Sequence, residues 1–178
     1  MSVERWADLG TGSGAIAVAL SRAMPATPGH AVDLSPDALA LARTNLEALA
    51  PKGKWHLHQG RWWEPLEPWW GHIDLVVCNP PYIPSDLIHN LDPVVRDHEP
   101  HLALAGGIDG LQAIREVVAG ACHALAPGGW ILIEHHHDQS APVLNLLNQA
   151  GLSSIRAARD LEGVNRFALA RRSLSPCS

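Results

Sequence analysis

The stretch from Trp6 to Asp33 constrains the fold of this chain more tightly than any other. A short apolar run, Trp6 to Leu9, leads into Gly10, Thr11, Gly12, Ser13 and Gly14. Ala15 to Ala23 then carries apolar residues at helical spacing, at Ile16, Ala19, Leu20 and Ala23. A second strand-like run, His30 to Leu34, holds Asp33 near its end. Strand, glycine turn, helix and strand in this order form a βαβ unit, and only parallel strands can flank such a crossover. Glycines at 10, 12 and 14 permit positive φ and close approach of a ligand to the backbone. The following helix points its positive end at the turn. Asp33 stands about 20 residues on, where a carboxylate accepts the hydroxyls of a ribose.

The alternation continues. Ser35, Pro36 and Asp37 predict an N-cap, a first-turn proline and an acid at the positive helix end, and Leu39, Ala42, Leu46 and Leu49 carry that helix on. Lys54–Gln59 alternates as a third strand does, and Ile73–Cys78 has the near-continuous apolar character of a central parallel strand. Residues 83–108 read as a long irregular loop, a length that compact domains reserve for function or mobility. Leu111, Ile114, Val118, Cys122 and Leu125 predict a helix that Pro127-Gly128-Gly129 should end. Trp130–Glu134 is a fifth strand and Pro142–Ala150 a further helix. Ser153–Arg159 and Asn165–Ala170 are separated only by Asp160–Val164, too few residues for a crossover helix, so they must form an antiparallel hairpin. The expectation is an α/β, Rossmann-like doubly wound sheet of about seven strands with an antiparallel last strand.

At 178 residues the chain suits one domain, spanning 1–178. A net charge of −5 and no run of Lys or Arg give no general pull toward nucleic-acid phosphates. Cys78, Cys122 and Cys177 are scattered without metal-type spacing and read as reduced thiols. No segment is apolar for long enough to span a bilayer, and cytoplasm is the expected compartment.

Two features decide between nucleotides. Read loosely, Gly10-x-Gly12-x-x-Ala15 fits a dinucleotide fingerprint, which brings in an NAD-type oxidoreductase. Asp8, however, can hold a cationic ammonium beside the turn. NAD has no such group there, whereas S-adenosylmethionine carries an α-amino group and a sulfonium. The second feature is Asn79-Pro80-Pro81-Tyr82, directly after the fourth strand. Methyl transfer to an amide or an adenine amine needs a delocalised nitrogen lone pair to be aimed at the methyl carbon. The Asn79 side-chain carbonyl and the Pro80 backbone carbonyl can accept the two N–H bonds of such a nitrogen. The prolines stiffen that segment, and Tyr82 can pack on the flat face of the target.

With these residues in view, the chain resembles the release factor glutamine methyltransferases (the PrmC/HemK family). The likeness rests on Asp8 to Ala17, Val32 to Pro36, Asn79 to Ile83 and His98-Glu99-Pro100-His101-Leu102-Ala103-Leu104-Ala105-Gly106-Gly107-Ile108-Asp109-Gly110-Leu111. The resemblance implies S-adenosyl-L-methionine as cofactor, contacted by Gly10–Gly14, Asp33 and Trp62, with Asn79 between cofactor and substrate. It implies that Asn79, Pro80, Pro81 and Tyr82 hold the glutamine of a Gly-Gly-Gln loop in a peptide chain release factor. Two departures accompany it. Family members carry an Asp, one contact to the adenine region, at the position of Arg61. They also carry a helical domain of roughly a hundred residues before the first strand, consistent with ordinary domain sizes. The chain is therefore expected to be a catalytic domain alone. Two alternatives stand beside the glutamine methyltransferase: an adenine amino-methyltransferase of DNA or RNA, and an inactive cofactor-binding domain that serves as a partner subunit.

His135-His136-His137 invites a metal reading, but successive residues at a strand end point opposite ways, and no metal is expected. Glu134 is expected to hydrogen-bond near the site. Trp62, Trp63, Trp69 and Trp70 read as a cover for a sheet edge, and Cys78 as core packing.

Overall fold

A computed structural model of the protein describes residues 2–84 and 106–174. Its sheet has seven strands: β1 Trp6–Leu9, β2 Gly29–Asp33, β3 Trp55–Gln59, β4 Ile73–Cys78, β5 Leu125–Glu134, β6 Ser153–Arg159 and β7 Asn165–Arg171. The spatial order is β3-β2-β1-β4-β5-β7-β6. β1 to β5 pair in parallel, and β7 runs antiparallel to both β5 and β6. The chain winds outward from β1 to β3, then returns to place β4 on the other side of β1. That reversal of strand order puts a topological switch point at the carboxyl ends of β1 and β4, the place where open α/β sheets take ligands.

Alternation along the strands feeds two cores. Trp6 points to one face and packs with Ala17, Ala31 and Leu46 under α1 (Ala15–Ala23) and α2 (Pro36–Leu49). Ala7 and Leu9 point to the other face, with Ile114, Ile131, Val143 and Leu147, under α3 (Gln112–Ala124) and α4 (Ser140–Gln149). Each fully buried Leu or Ile here contributes about 1.5–3 kcal/mol. Gly29 makes room for the indole of Trp6, since a Cβ there would stand 1.9 Å from the ring. At the head of α2, Ser35 Oγ accepts from the Ala38 amide at 3.2 Å, with Pro36 and Asp37 in the first turn as expected.

Three expectations need correction or completion. The Pro127-Gly128-Gly129 triplet does not end a helix. α3 stops at Ala124, and the triplet lies inside β5, where the pairing with β4 shifts register between Ile73 and Leu75. The chain is extended from Leu125, which pairs with Ile73 of β4, and Gly128 and Gly129 bond with Arg172 past the end of β7. A bulged segment tolerates a proline that a regular ladder would not. Of the cysteines, Cys78 is a free buried thiol, whereas Cys122 is disulfide-bonded, so the reduced-thiol reading holds for Cys78 and is corrected for Cys122. Cys177 and residues 98–105 of the long motif lie outside the described residues. No described helix is long and apolar enough to cross a membrane.

The β2–β3 edge carries an arrangement with a clear pH consequence. His30 is buried, and its Nδ1 lies 2.9 Å from His58 Nε2. The ring centroids of His56 and Trp69 are 5.6 and 4.2 Å from that of His30. Burial, followed by the neighbouring His58 and His56, pushes the pKa of His30 down to about 3, and burial also lowers that of His58. The folded protein therefore holds fewer protons here than the unfolded chain below the ordinary histidine value of about 6.5. Stability rises with pH where the unfolded state binds more protons, so it must fall as pH drops from about 6.5 toward 3. His30→Gln should flatten this slope in thermal unfolding followed across pH 4–7. An unchanged slope would assign the acid sensitivity to other groups.

Candidate active site

The glycine turn is built around two carboxylates. Asp8, on β1, is 1% exposed. Its Oδ2 accepts from Thr11 Oγ1 at 2.6 Å and from the Ala17 amide at 3.1 Å, so Asp8 caps α1 from the preceding strand. Burial raises its pKa to about 6, against the opposing pull of those two hydrogen bonds. Its Oδ1 is buried and has no partner among the described residues. An acceptor left this way is costly unless a donor reaches it. Asp33, at the end of β2, accepts from the Gly12 amide at 2.8 Å through Oδ2 and from the Ser35 amide at 2.9 Å through Oδ1. A carboxylate has about four acceptor positions, which leaves Asp33 capacity for a further pair of donors.

Gly10, Gly12 and Gly14 all have positive φ, at 73°, 54° and 80°. Their surroundings differ. A Cβ on Gly14 would stand 2.9 Å from Ala42 Cβ, so this glycine lets α1 and α2 approach closely, while a Cβ on Gly12 would meet none of the described residues within 4 Å. Ser13 is exposed, and its carbonyl accepts from Asn45 Nδ2 at 2.8 Å.

Trp62 lies against the turn. Its ring would be 3.2 Å from a Cβ on Gly10. Trp62 holds φ at 49°, a left-handed conformation that costs a non-glycine residue about 1–2 kcal/mol. Glu116 on α3 offsets this cost by accepting from Trp62 Nε1 at 2.8 Å and from Arg61 Nε and Nη2 at 2.8 and 2.7 Å. Burial pushes the Glu116 carboxyl up, but the Arg61 and Trp62 bonds outweigh it and hold the pKa below the usual range. Trp63 instead turns inward, donating to the Val117 carbonyl at 2.8 Å, and Trp69 covers the histidines of the β2–β3 edge. The edge-cover reading therefore fits Trp69 and not Trp63.

Asn79-Pro80-Pro81-Tyr82 leaves the end of β4 beside this turn. Leu9 and Cys78 are register partners, and the Asn79 carbonyl lies 4.0 Å from a Cβ position on Gly10. Asn79 is exposed and Pro80 buried. The Tyr82 hydroxyl donates to Glu134 Oε1 at 3.4 Å. Burial, with the nearby Asp8 charge, drives the pKa of the Cys78 thiol well upward, so it is no nucleophile. Of the three successive histidines, His135 is buried with Nδ1 2.7 Å from the His136 carbonyl oxygen, while His136 pairs with Asp138 at 2.6 Å and its ring centroid stands 4.1 Å from that of His137.

Residues 2–92 match the family described as "Methyltransferase small domain". That span takes in β1 to β4 and every site residue from Asp8 to Tyr82, just over half of the chain. The chain belongs to this family. Among curated relatives, a protein of Prochlorococcus marinus named release factor glutamine methyltransferase is 57% identical over 172 residues, covering 97% of this chain and 59% of its own length. One of the same name from Thermosynechococcus vestitus is 45% identical, covering 93% and 57%. The chain thus spans a little under three fifths of these relatives. A methyltransferase structure from Pyrococcus furiosus superposes with a TM-score of 0.70 at 16% identity, covering 97% of this chain and 76% of that one. That likeness concerns the fold alone, a class I methyltransferase sheet.

Glu116 was invisible to pattern reading. It lies 55 residues from Arg61, on a helix whose neighbouring positions are core. The one available signal is the exchange at Arg61 of an expected acid for a base, which demands a new partner.

Proposed function

We propose that this chain is the catalytic part of an S-adenosyl-L-methionine-dependent methyltransferase acting on the side-chain nitrogen of the Gly-Gly-Gln glutamine in peptide chain release factors, in the cytoplasm. The observation that carries the reading is the position of Asn79-Pro80-Pro81-Tyr82 against the glycine turn, at the carboxyl ends of β1 and β4. The names of the relatives from Prochlorococcus marinus and Thermosynechococcus vestitus point the same way.

The residues fit the cofactor. The unpartnered Asp8 Oδ1 is an acceptor for an ammonium, and the open space beside Gly12 suits a ligand pressed against backbone. Gly10, Thr11, Gly12, Ser13 and Gly14 would cradle it, Asp33 would take the ribose hydroxyls, and Trp62 would pack on its flat part. When bound, S-adenosylmethionine supplies an electrophilic methyl group on a sulfonium. Asn79 Oδ1 and the Pro80 carbonyl accept the two N–H bonds of the target amide and aim its nitrogen. Both bonds strengthen as that nitrogen becomes cationic, so they act mainly in the transition state. Tyr82, tethered through its hydroxyl to Glu134, packs on the amide plane. No side chain has to remove a proton in advance, because the nitrogen loses it after becoming cationic.

Incubation with methyl-labelled cofactor and either release factor or nucleic acid separates this reading from an adenine methyltransferase. Label is expected in the release factor, and label confined to nucleic acid would overturn the reading. Binding of cofactor without turnover on either substrate would instead identify an inactive partner subunit. Asp33→Ala should weaken cofactor binding by about 1.5–3 kcal/mol in titration calorimetry, the size of charge-assisted hydrogen bonds. Unchanged affinity would show that the nucleotide does not use the end of β2.

A further inference from the structure

We infer that Gln139 is the positioning residue that sets the Asn79–Tyr82 clamp against the loop entering α3. This deepens the proposed function and rests on its reading of residues 79–82. Gln139 is 6% exposed and stands at the N-cap of α4. Its backbone is fixed: its amide donates to the His136 carbonyl at 2.9 Å, and its carbonyl accepts from the Val143 amide at 3.0 Å. Its side chain leaves that helix. Nε2 donates to the Tyr82 carbonyl at 3.0 Å and to the Gly110 carbonyl at 3.3 Å, while Oε1 accepts from the His136 amide at 2.9 Å.

One buried amide thereby joins three segments that lie far apart in the chain: the clamp, the loop before α3 and the turn after β5. The residue type is dictated by what it meets. Two carbonyl oxygens converge on one group, and a primary amide offers two N–H donors and an acceptor in one plane. A carboxylate would present oxygen to oxygen, and an apolar side chain would remove all three bonds. The space is full. A Cβ on Gly110 would stand 2.3 Å from the Tyr82 carbonyl oxygen and 2.6 Å from Gln139 Nε2. A second tie lies alongside, since the Gly106 amide donates to the Ile83 carbonyl at 2.8 Å and the Gly106 carbonyl accepts from Gln112 at 2.9 Å. None of these groups belongs to the glycine turn, so Gln139 acts on where the target amide is held and not on how the nucleotide is held.

The test compares Gln139→Glu and Gln139→Met in this chain, with release factor as substrate. Both variants should lose about tenfold to a hundredfold in kcat, the scale of a misplaced reacting group. Cofactor Kd should stay within about twofold of wild type, because Asp8, Gly12 and Asp33 stand on β1, the turn and β2. The Gln139→Glu loss should ease as pH falls, since a protonated carboxyl regains one donor, whereas the Gln139→Met loss should not. Unchanged kcat in both variants overturns the inference. So does a parallel loss of kcat, cofactor affinity and thermal stability, or failure of both to fold, because each makes the role merely structural. If wild type itself leaves release factor unmethylated, the proposed function fails, and hydrogen exchange then decides on Gln139. In Gln139→Met the Gly106 amide should exchange about tenfold faster while Val143 keeps its protection. Equal protection at Gly106 in both proteins overturns the inference.

Discussion

Asn79→Ala should leave the fold and most of the cofactor affinity in place while lowering turnover by about a hundred- to a thousandfold, the usual effect of removing one preorganised transition-state partner. The side chain is exposed at the end of a buried strand, so its truncation opens no cavity. The anchoring of the segment comes from buried Pro80 and from Tyr82, whose carbonyl and hydroxyl are both bonded. On the proposed mechanism, what is lost is an acceptor whose bond strengthens as the target nitrogen gains charge. Asn79→Asp asks a finer question. If orientation through an acceptor is sufficient, Asp retains substantial activity, and if the NH2 of Asn79 is also used, Asp fails nearly as badly as Ala. Turnover near wild type in Asn79→Ala would reduce Asn-Pro-Pro-Tyr to a strand stop.

Gly12→Val should weaken cofactor binding by at least about a hundredfold, roughly 2.7 kcal/mol. Among the described residues there is no obstacle, since a Cβ at Gly12 meets none of them within 4 Å. The strain comes from φ at +54°, which costs an L-residue about 1–2 kcal/mol and more for a β-branched one. A substitution at Gly14 would be different in kind, because its Cβ would collide with α2 and disturb the fold. Gly12→Val should therefore melt somewhat earlier than wild type, remain folded, and fail to bind in calorimetry. Full affinity in the folded variant would show that the ligand does not enter this space.

Much of the architecture was legible because it is written in periodicity along the chain. Ile73–Cys78 was delimited by its apolar run and the prolines after it, and the β6–β7 hairpin by a connection too short for a helix. Pro127-Gly128-Gly129 misled for a physical reason: the triplet that stops a helix also makes a bulge, and pairing with Ile73 and Arg172, far off in the chain, decides between them. The candidate site was legible to the extent that it lies at strand ends, as Asp8, Asp33 and Asn79 do. Its supporting bonds were not. Glu116 reaches Arg61 and Trp62, Gln139 reaches Tyr82, and His30 meets His58 through strand order and helix rotation, neither of which any local pattern records.

The measurement that bears most directly on the account is the mass of the release factor's tryptic peptide containing Gly-Gly-Gln, after incubation with this chain and S-adenosylmethionine. A gain of one methyl group is expected, placed by fragmentation on the glutamine, and slowed about a hundred- to a thousandfold when Asn79→Ala replaces the wild-type chain. An unmodified peptide alongside methyl transfer to adenine in DNA or RNA would contradict it.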